Sequence, residues 1–435
     1  MSATPFVFDA PPPARTPLRA AISAAWLADE TTLIRGLLPR AQRPAAEAER
    51  VQHGAAGWVT RVRRRAAQQS PLDAFMREYD LSSEEGVLLM CLAEALLRIP
   101  DDHTAEKLIA DKLAEADWES HLGRSDSLFV NASTWGLMLT GRIVRLSPET
   151  TSNFRSAINR LVGRSTEPVI RLAIGQAMRL MGHQFVMGRT IAEALSNAQG
   201  RDHRAYLHSF DMLGEAALTA ADAQRYLASY HAAIAAIGTG AAVEHGAPVM
   251  QRPGISVKLS ALHPRYDAAQ AARVRRELTP RLLELAQAAR KHNIGLTVDA
   301  EEADRLELAL DVFEAVYRDR SLSGWDGFGL AVQAFQKRAL PQLEWLAALA
   351  REVGRRIPVR LVKGAYWDTE IKRAQEQGLP GYAVFTRKAN TDVSYLACAK
   401  FLLEARDLFY PQLATHNAHT AAAVLDWAKD AKGYE

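Results

Sequence analysis

The chain holds 435 residues, with 53 Lys and Arg against 50 Asp and Glu for a formal charge of +3, and 48% hydrophobic beside 24% charged residues. At roughly 150 residues per domain there is room for two or three domains with a large core, and a charge balance this even argues against a dedicated nucleic-acid binder. Cys91 and Cys398 are the only cysteines, which excludes a disulfide framework or a cysteine-built zinc site and fits a reducing cytoplasm.

The first residues, Met1 to Pro5 and then Phe6 to Phe8, lack the basic start and continuous apolar run of a secretory signal. Residues 1–65 combine Pro11-Pro12-Pro13, a helical stretch at Leu18 to Leu38 and the basic run Arg61, Arg63, Arg64 and Arg65. They predict an extended N-terminal arm whose arginines form a solvated helix face. Residues 66–200 predict an all-helical domain. Ser82 to Glu85 has the form of a capping box, Val87 to Leu97 continues the helix, Pro100 ends it, and further stretches cover 104–118, 150–162 and 166–182. The longest uncharged stretch, Leu227 to Val243, is alanine-rich. It falls short of the roughly 20 strongly apolar residues of a membrane span and reads as a helix ending at Gly238.

From 201 to 435 short β-rich runs alternate with helical ones. The predicted strands are Ser209 to Leu213, Ile255 to Leu262, Gly295 to Ala300, Phe328 to Ala334, Val359 to Lys363 and Gln412 to His416. Helices lie between them, such as Ala303 to Tyr317, with Leu306, Leu310, Phe313 and Tyr317 on one face. This alternation predicts an α/β fold of parallel strands and crossover helices. No Gly-x-Gly-x-x-Gly turn leaves a strand for a helix: Gly238-Thr-Gly240 lacks its third glycine and Gly327-Phe-Gly329 runs into a strand. A (βα)8-type barrel is therefore preferred to a doubly wound sheet.

A barrel makes a demand on parity, because outward side chains pack under helices and inward ones face the lumen. Ile255, Val257, Leu296, Val298, Leu330, Val332, Val359 and Leu361 meet the outward demand, and Leu413 and Thr415 share a side of the last run. The opposite parity brings Lys258, Asp299, Gln333, Arg360 and His416 toward one lumen, most of them near strand C-termini, where barrel enzymes place their chemistry. Each has a plainer reading alone. Lys258 and Asp299 could be a buried ion pair, Gln333 a satisfied core amide, and His416 with His419 lacks a third zinc ligand. Asp299, Glu301, Glu302 and Asp304 could hold magnesium, or all but Asp299 could open the next helix. A lumen with both signs of charge suits an amino acid. Lys363 to Trp367 offers a glycine, a lysine and two aromatics to a flat ligand, and Thr386-Arg387-Lys388, heading a helix, offers a phosphate seat.

Several long strings resemble the proline dehydrogenase part of the bifunctional proline utilisation A flavoproteins. They are Asp211 to Glu215, Ser256 to Tyr266, Asp299 to Arg305, Arg360 to Asp368, Thr386 to Lys388 and Thr415 to His419. The resemblance covers most of the chain from about residue 70. It implies FAD as cofactor, L-proline as substrate, Δ1-pyrroline-5-carboxylate as product and membrane quinone as electron acceptor, with hydride passing from the ring carbon beside nitrogen to flavin N5. It puts Lys258 on the proline carboxylate, Asp299 beside the amine and the flavin, Tyr366 against the substrate, and Arg360 and Gln333 on the isoalloxazine ring. Ala331, Lys363, Gly364, Ala365, Trp367, Thr386, Arg387, Lys388, His416 and Asn417 would hold the remainder of FAD, and Glu215 resembles the family's gate carboxylate.

Residues 1–45 show no basic strand followed by two short helices, so no nucleic-acid partner is expected. After the helix through Trp427 the family pattern would continue with two more strands, a last helix and an aldehyde dehydrogenase module. The expectation is thus a barrel incomplete at its C-terminal end, with exposed edges. The whole protein is expected in the cytoplasm, at the inner face of the membrane, as a homo-oligomer. The competing readings are a Schiff-base aldolase using Lys258, a metal-assisted lyase, and a non-catalytic interaction protein.

Overall fold

The computed structural model describes residues 15–66, 186–201, 203–212, 216–240 and 247–429. The capping box at Ser82 to Glu85, the helices expected between 67 and 185, and Glu215 lie outside the described residues. The chain divides into two compact units, one formed by residues 1–59 with 201–435 and the other by 60–200.

In the first unit the arm folds into helices. Thr16 caps α1 (Pro17–Ala24) through a bond from the Arg19 amide, with Pro17 in the first turn where no N–H is missed. Asp29 caps α2 (Glu30–Ala41) by accepting from the Thr32 amide at 2.8 Å. α3 (Ala45–Ala66) follows, and Arg61 to Arg65 are exposed, as a solvated face requires. In the second unit, α4 (Ile191–Ala198) starts at the cap Thr190, while Glu193 accepts from the Arg189 amide.

Six parallel strands lie side by side in chain order: β1 (Ser209–Asp211), β2 (Gly254–Val257), β3 (Gly295–Val298), β4 (Phe328–Gln333), β5 (Ile357–Val362) and β6 (Phe409–Leu413). Between and after them come α5 (Ala220–Gly240), α6 (Leu259–Leu262), α7 (Ala271–Lys291), α8 (Leu306–Tyr317), α9 (Ala339–Val353), α10 (Trp367–Glu376), α11 (Lys388–Glu404) and α12 (Ala418–Lys429). Among the described residues no helix is long and apolar enough to cross a membrane. α5 runs on to Gly240, beyond the expected stop at Gly238.

Register explains the core. Val257 pairs with Val298, Val298 with Leu330, and Leu330 with Val359, so one row of apolar side chains runs across four strands. All four are buried, and so are Leu306, Leu310, Phe313 and Tyr317 of α8, whose Phe313 stacks on Phe328 at 4.9 Å. Position 329, in the opposite row, is a glycine because a Cβ there would run into the Pro358 carbonyl oxygen.

The sheet curls. Arg360 of β5 donates to Ser256 Oγ of β2 at 2.8 Å and to Ser209 Oγ of β1 at 2.7 Å. In a flat sheet β5 and β1 would stand roughly 19 Å apart, four steps of about 4.8 Å, beyond an arginine's reach. Strands in sequential parallel order that curl around one lumen, here with β1 and β6 as the two ends of the sheet among the described residues, are those of a βα barrel.

Two strand expectations need correction. The run Ile255 to Leu262 breaks after Val257, and Leu259–Leu262 turns helical. The Ser260 amide there donates to Glu301 Oε2 at 3.1 Å, and the Ser260 carbonyl accepts from Ala217, so both backbone groups leave the ladder. β6 begins at Phe409 and ends at Leu413, which leaves His416 on the loop behind it. The arm lies against the barrel: buried Arg19 reaches Glu307 at 2.9 Å and Asp311 at 2.6 Å on α8, and Val51 and Ala55 of α3 pack with Ala422 and Ala423 of α12.

Candidate active site

Four strands deliver charge to one end of the lumen. Asp211 ends β1, Lys258 follows β2, Asp299 follows β3, and Arg360 lies within β5. The Lys258 ammonium donates to both Asp211 carboxylate oxygens, at 2.7 and 2.9 Å, and to Asp299 at 3.1 Å. Arg360 completes the chain by donating to the other Asp299 oxygen at 3.3 Å. The backbone places these groups: the Asp299 amide extends the ladder to the Val257 carbonyl at 2.9 Å, and the buried Tyr230 hydroxyl accepts from the Lys258 amide.

The electrostatics follow from burial and pairing. Burial alone would disfavour charge on Lys258, but Asp299 and Asp211 outweigh it and push the ammonium pKa up. A Schiff-base lysine needs an unprotonated amine, so Lys258 is tuned away from that chemistry. Burial pushes the Asp299 carboxyl up, against the pull of Lys258 and with the support of Asp211. Burial likewise raises the Tyr230 phenol.

Lys258, Asp299 and Arg360 are thus brought together as parity predicts, with Ala331 beside Arg360 in register. Gln333 is buried nearby, but its amide donates to the Ala300 and Glu301 carbonyls and its oxygen accepts from Gln336, the bonding of a satisfied core amide. Lys363 turns to Asp392 and, at 3.5 Å, Thr420, so it ties α11 to α12. His416 and Asn417 are exposed behind β6 and touch none of the four lumen charges; the Asn417 side chain caps the Thr420 amide. Glu215 lies outside the described residues.

A second cluster surrounds α10 and the start of α11. Gly364 has φ +130°, and a Cβ there would meet the Phe335 ring at 2.5 Å. Ala365 is exposed, and Tyr366 adopts φ +63° with 78% of its surface exposed. Trp367 keeps an exposed face while its indole N–H donates to the Phe385 carbonyl at 2.9 Å. Thr386, Arg387 and Lys388 follow directly, all exposed. Arg387 and Lys388 make no ion pair among the described residues. Two flat aromatics beside two such cations form a donor set that fits a flat, anionic cofactor.

Residues 194–435, more than half of the chain, match the family model described as proline dehydrogenase. The chain belongs to the proline dehydrogenase family. Residues 16–63 match the model of the proline utilization A proline dehydrogenase N-terminal domain. Residues 71–185, none of them among the described residues, match a model described as the DNA-binding domain of proline dehydrogenase, which runs against the expectation of no nucleic-acid partner. Over 413 residues the chain is 52% identical to the bifunctional protein PutA of Klebsiella aerogenes, with 94% of this chain and 31% of that protein covered. The Rhizobium meliloti protein of the same name is 48% identical over 98% of this chain and 34% of its own length. A crystal structure of a Bradyrhizobium japonicum proline utilization A variant superposes with a TM-score of 0.69 at 47% identity, over 98% of this chain and 41% of that one. The chain therefore spans about a third of the length of the curated relatives it matches, and corresponds to their proline dehydrogenase portion.

Within this family, sequence reasoning missed Asp211 as a member of the site, together with Ser209 and Ser256. Register is what reveals them: Asp211 pairs with Ser256 and Ser256 with Thr297, on the row opposite the apolar one.

Proposed function

We propose that this chain oxidises L-proline to Δ1-pyrroline-5-carboxylate in the barrel lumen, with FAD as its cofactor and quinone as the terminal acceptor. The observation that carries the proposal is the chain Asp211–Lys258–Asp299–Arg360, two anions and two cations from four strands in continuous contact. It is neutral as a whole and offers complementary charge to both ends of a zwitterion.

Lys258, kept protonated, receives the substrate carboxylate by exchanging part of its hold on Asp211. Asp299 orients Lys258 and Arg360 together and is the carboxylate available to the substrate nitrogen. Arg360, anchored by Ser209 and Ser256, holds positive charge at a defined point in the lumen. Tyr366 and Trp367 cover flat ligand surface, and Arg387 and Lys388 meet phosphate. Bound FAD would supply the two-electron acceptor for the hydride leaving the ring carbon beside nitrogen of the neutral amine, after the ammonium has lost a proton to water, and loss of the remaining N–H proton gives the imine product. The cytoplasm, the inner face of the membrane and a homo-oligomeric state belong to the same reading of the whole protein.

Purified protein is expected to carry the visible absorption of flavin and to reduce an artificial dye in a proline-dependent manner. Colourless protein with no proline:dye activity after FAD addition would remove the proposal. The family description over residues 71–185 makes DNA a partner to test by gel shift at low salt, where retardation of duplex DNA would speak for it.

A further inference from the structure

Thr386, expected to help hold FAD, already has a partner within the chain. Both Glu30 carboxylate oxygens accept from the Thr386 amide, at 3.1 and 3.0 Å, and Glu30 Oε2 accepts from the Thr386 hydroxyl at 2.9 Å. The Asn390 side-chain amide donates to the same carboxylate. Glu30 is the first residue of α2, so this contact spans 356 positions of sequence and joins the arm to the segment entering α11.

A second contact holds the same arm turn. Lys337 is buried, and its ammonium donates to the Ala28 carbonyl at 2.8 Å, while its backbone amide donates to Ala383 at 3.0 Å. Gln336 bridges Val384, and the Phe385 amide donates to the Phe335 carbonyl at 2.8 Å. The Phe385 carbonyl in turn accepts from Trp367. Residues 383–386 are thus tied to the exit of β4 on one side and to the arm on the other, and they carry the positions of Trp367, Arg387 and Lys388.

We infer that Glu30 is a positioning residue for the cofactor-binding segment: it anchors Thr386 and Asn390 so that Arg387 and Lys388 face the anionic cofactor. Thr386 is then an anchor of the segment, and its donors serve the arm. Burial would raise the Glu30 carboxyl, but the bonds from Asn390 and Thr386 lower it and keep the carboxylate charged. A charged acceptor makes hydrogen bonds about twice as strong as a neutral one, which suits an anchor for a surface segment.

The inference rests on the cofactor reading above, and its test separates the two. Glu30→Ala and Glu30→Gln proteins are titrated with FAD and with ADP, following flavin fluorescence and heat, and amide hydrogen exchange is measured over residues 383–390. Glu30→Ala is expected to weaken both ligands about tenfold and to speed exchange in that segment. Glu30→Gln, which keeps an acceptor for Thr386 and Asn390, is expected to recover most of the affinity. Unchanged FAD affinity in Glu30→Ala, with or without faster exchange, would overturn the inference. Tighter binding would also overturn it, since it would make Glu30 a competitor of the anion. Failure of the cofactor reading shows separately, as absence of FAD binding in the unsubstituted protein.

Discussion

The lumen and the α10–α11 surface hold their charges in opposite ways. In the lumen every charged group of the proposed site is paired within the chain: Lys258 with Asp211 and Asp299, and Arg360 with Asp299, Ser209 and Ser256. At the surface Arg387 and Lys388 stand without ion pairs among the described residues, and the segment carrying them is held through Thr386 and Asn390 instead. The lumen is pre-organised by its own charges and must exchange partners to admit a zwitterion. The surface is pre-organised by hydrogen bonds behind its cations, which leaves the cations to an anion.

Arg360→Met breaks the lumen most severely, because it removes the group that spans three strands and leaves Asp299 with one cation. Proline-dependent flavin reduction is expected to slow on the order of a hundredfold in rapid-mixing measurements. A rate equal to that of the unsubstituted protein would place Arg360 outside the reaction. Lys258→Ala follows, raising KM for proline about tenfold with a smaller change in kcat, the signature of lost ground-state and transition-state binding alike.

Gly364→Ala tests the surface. It forces a residue to φ +130° and drives its Cβ into the Phe335 ring, so it is expected to cost about 1–3 kcal/mol of stability, read by urea denaturation. FAD affinity should fall with it, while an unaffected protein would mean that this loop relaxes freely.

The smallest effect concerns pH. The Asp299 carboxyl is raised in the folded state, so its proton stabilises the fold below the unfolded pKa, and that contribution is lost as pH rises through the folded value. Asp299→Asn should flatten this decline of Tm across the mildly acid range; an identical Tm–pH curve would show that Asp299 is not shifted.

Legibility in the sequence followed the same division. The lumen was readable because strand parity is strictly two, so Val257, Val298 and Val359 on one side oblige Lys258, Asp299 and Arg360 to the other. Asp211 escaped because β1 is three residues long, too short for alternation to establish a face. Leu259–Leu262 misled because a short apolar run has no period that separates strand from helix. The start of β6 was hidden by Pro411, a residue that argues against a strand except at an edge or a sheet margin, and β6 is the last strand of the order among the described residues. Glu30 carried no signal, since nothing local in Asp29-Glu30 distinguishes a helix start from a residue that holds Thr386.

In the proposed reaction Asp211, Lys258, Asp299 and Arg360 receive proline as one unit. A double-mutant cycle on kcat/KM for proline with Asp211→Asn and Lys258→Ala tests it most directly. The double variant is expected to lose little more than Lys258→Ala alone, because Asp211 acts through the ammonium it holds. Losses that multiply independently would contradict it.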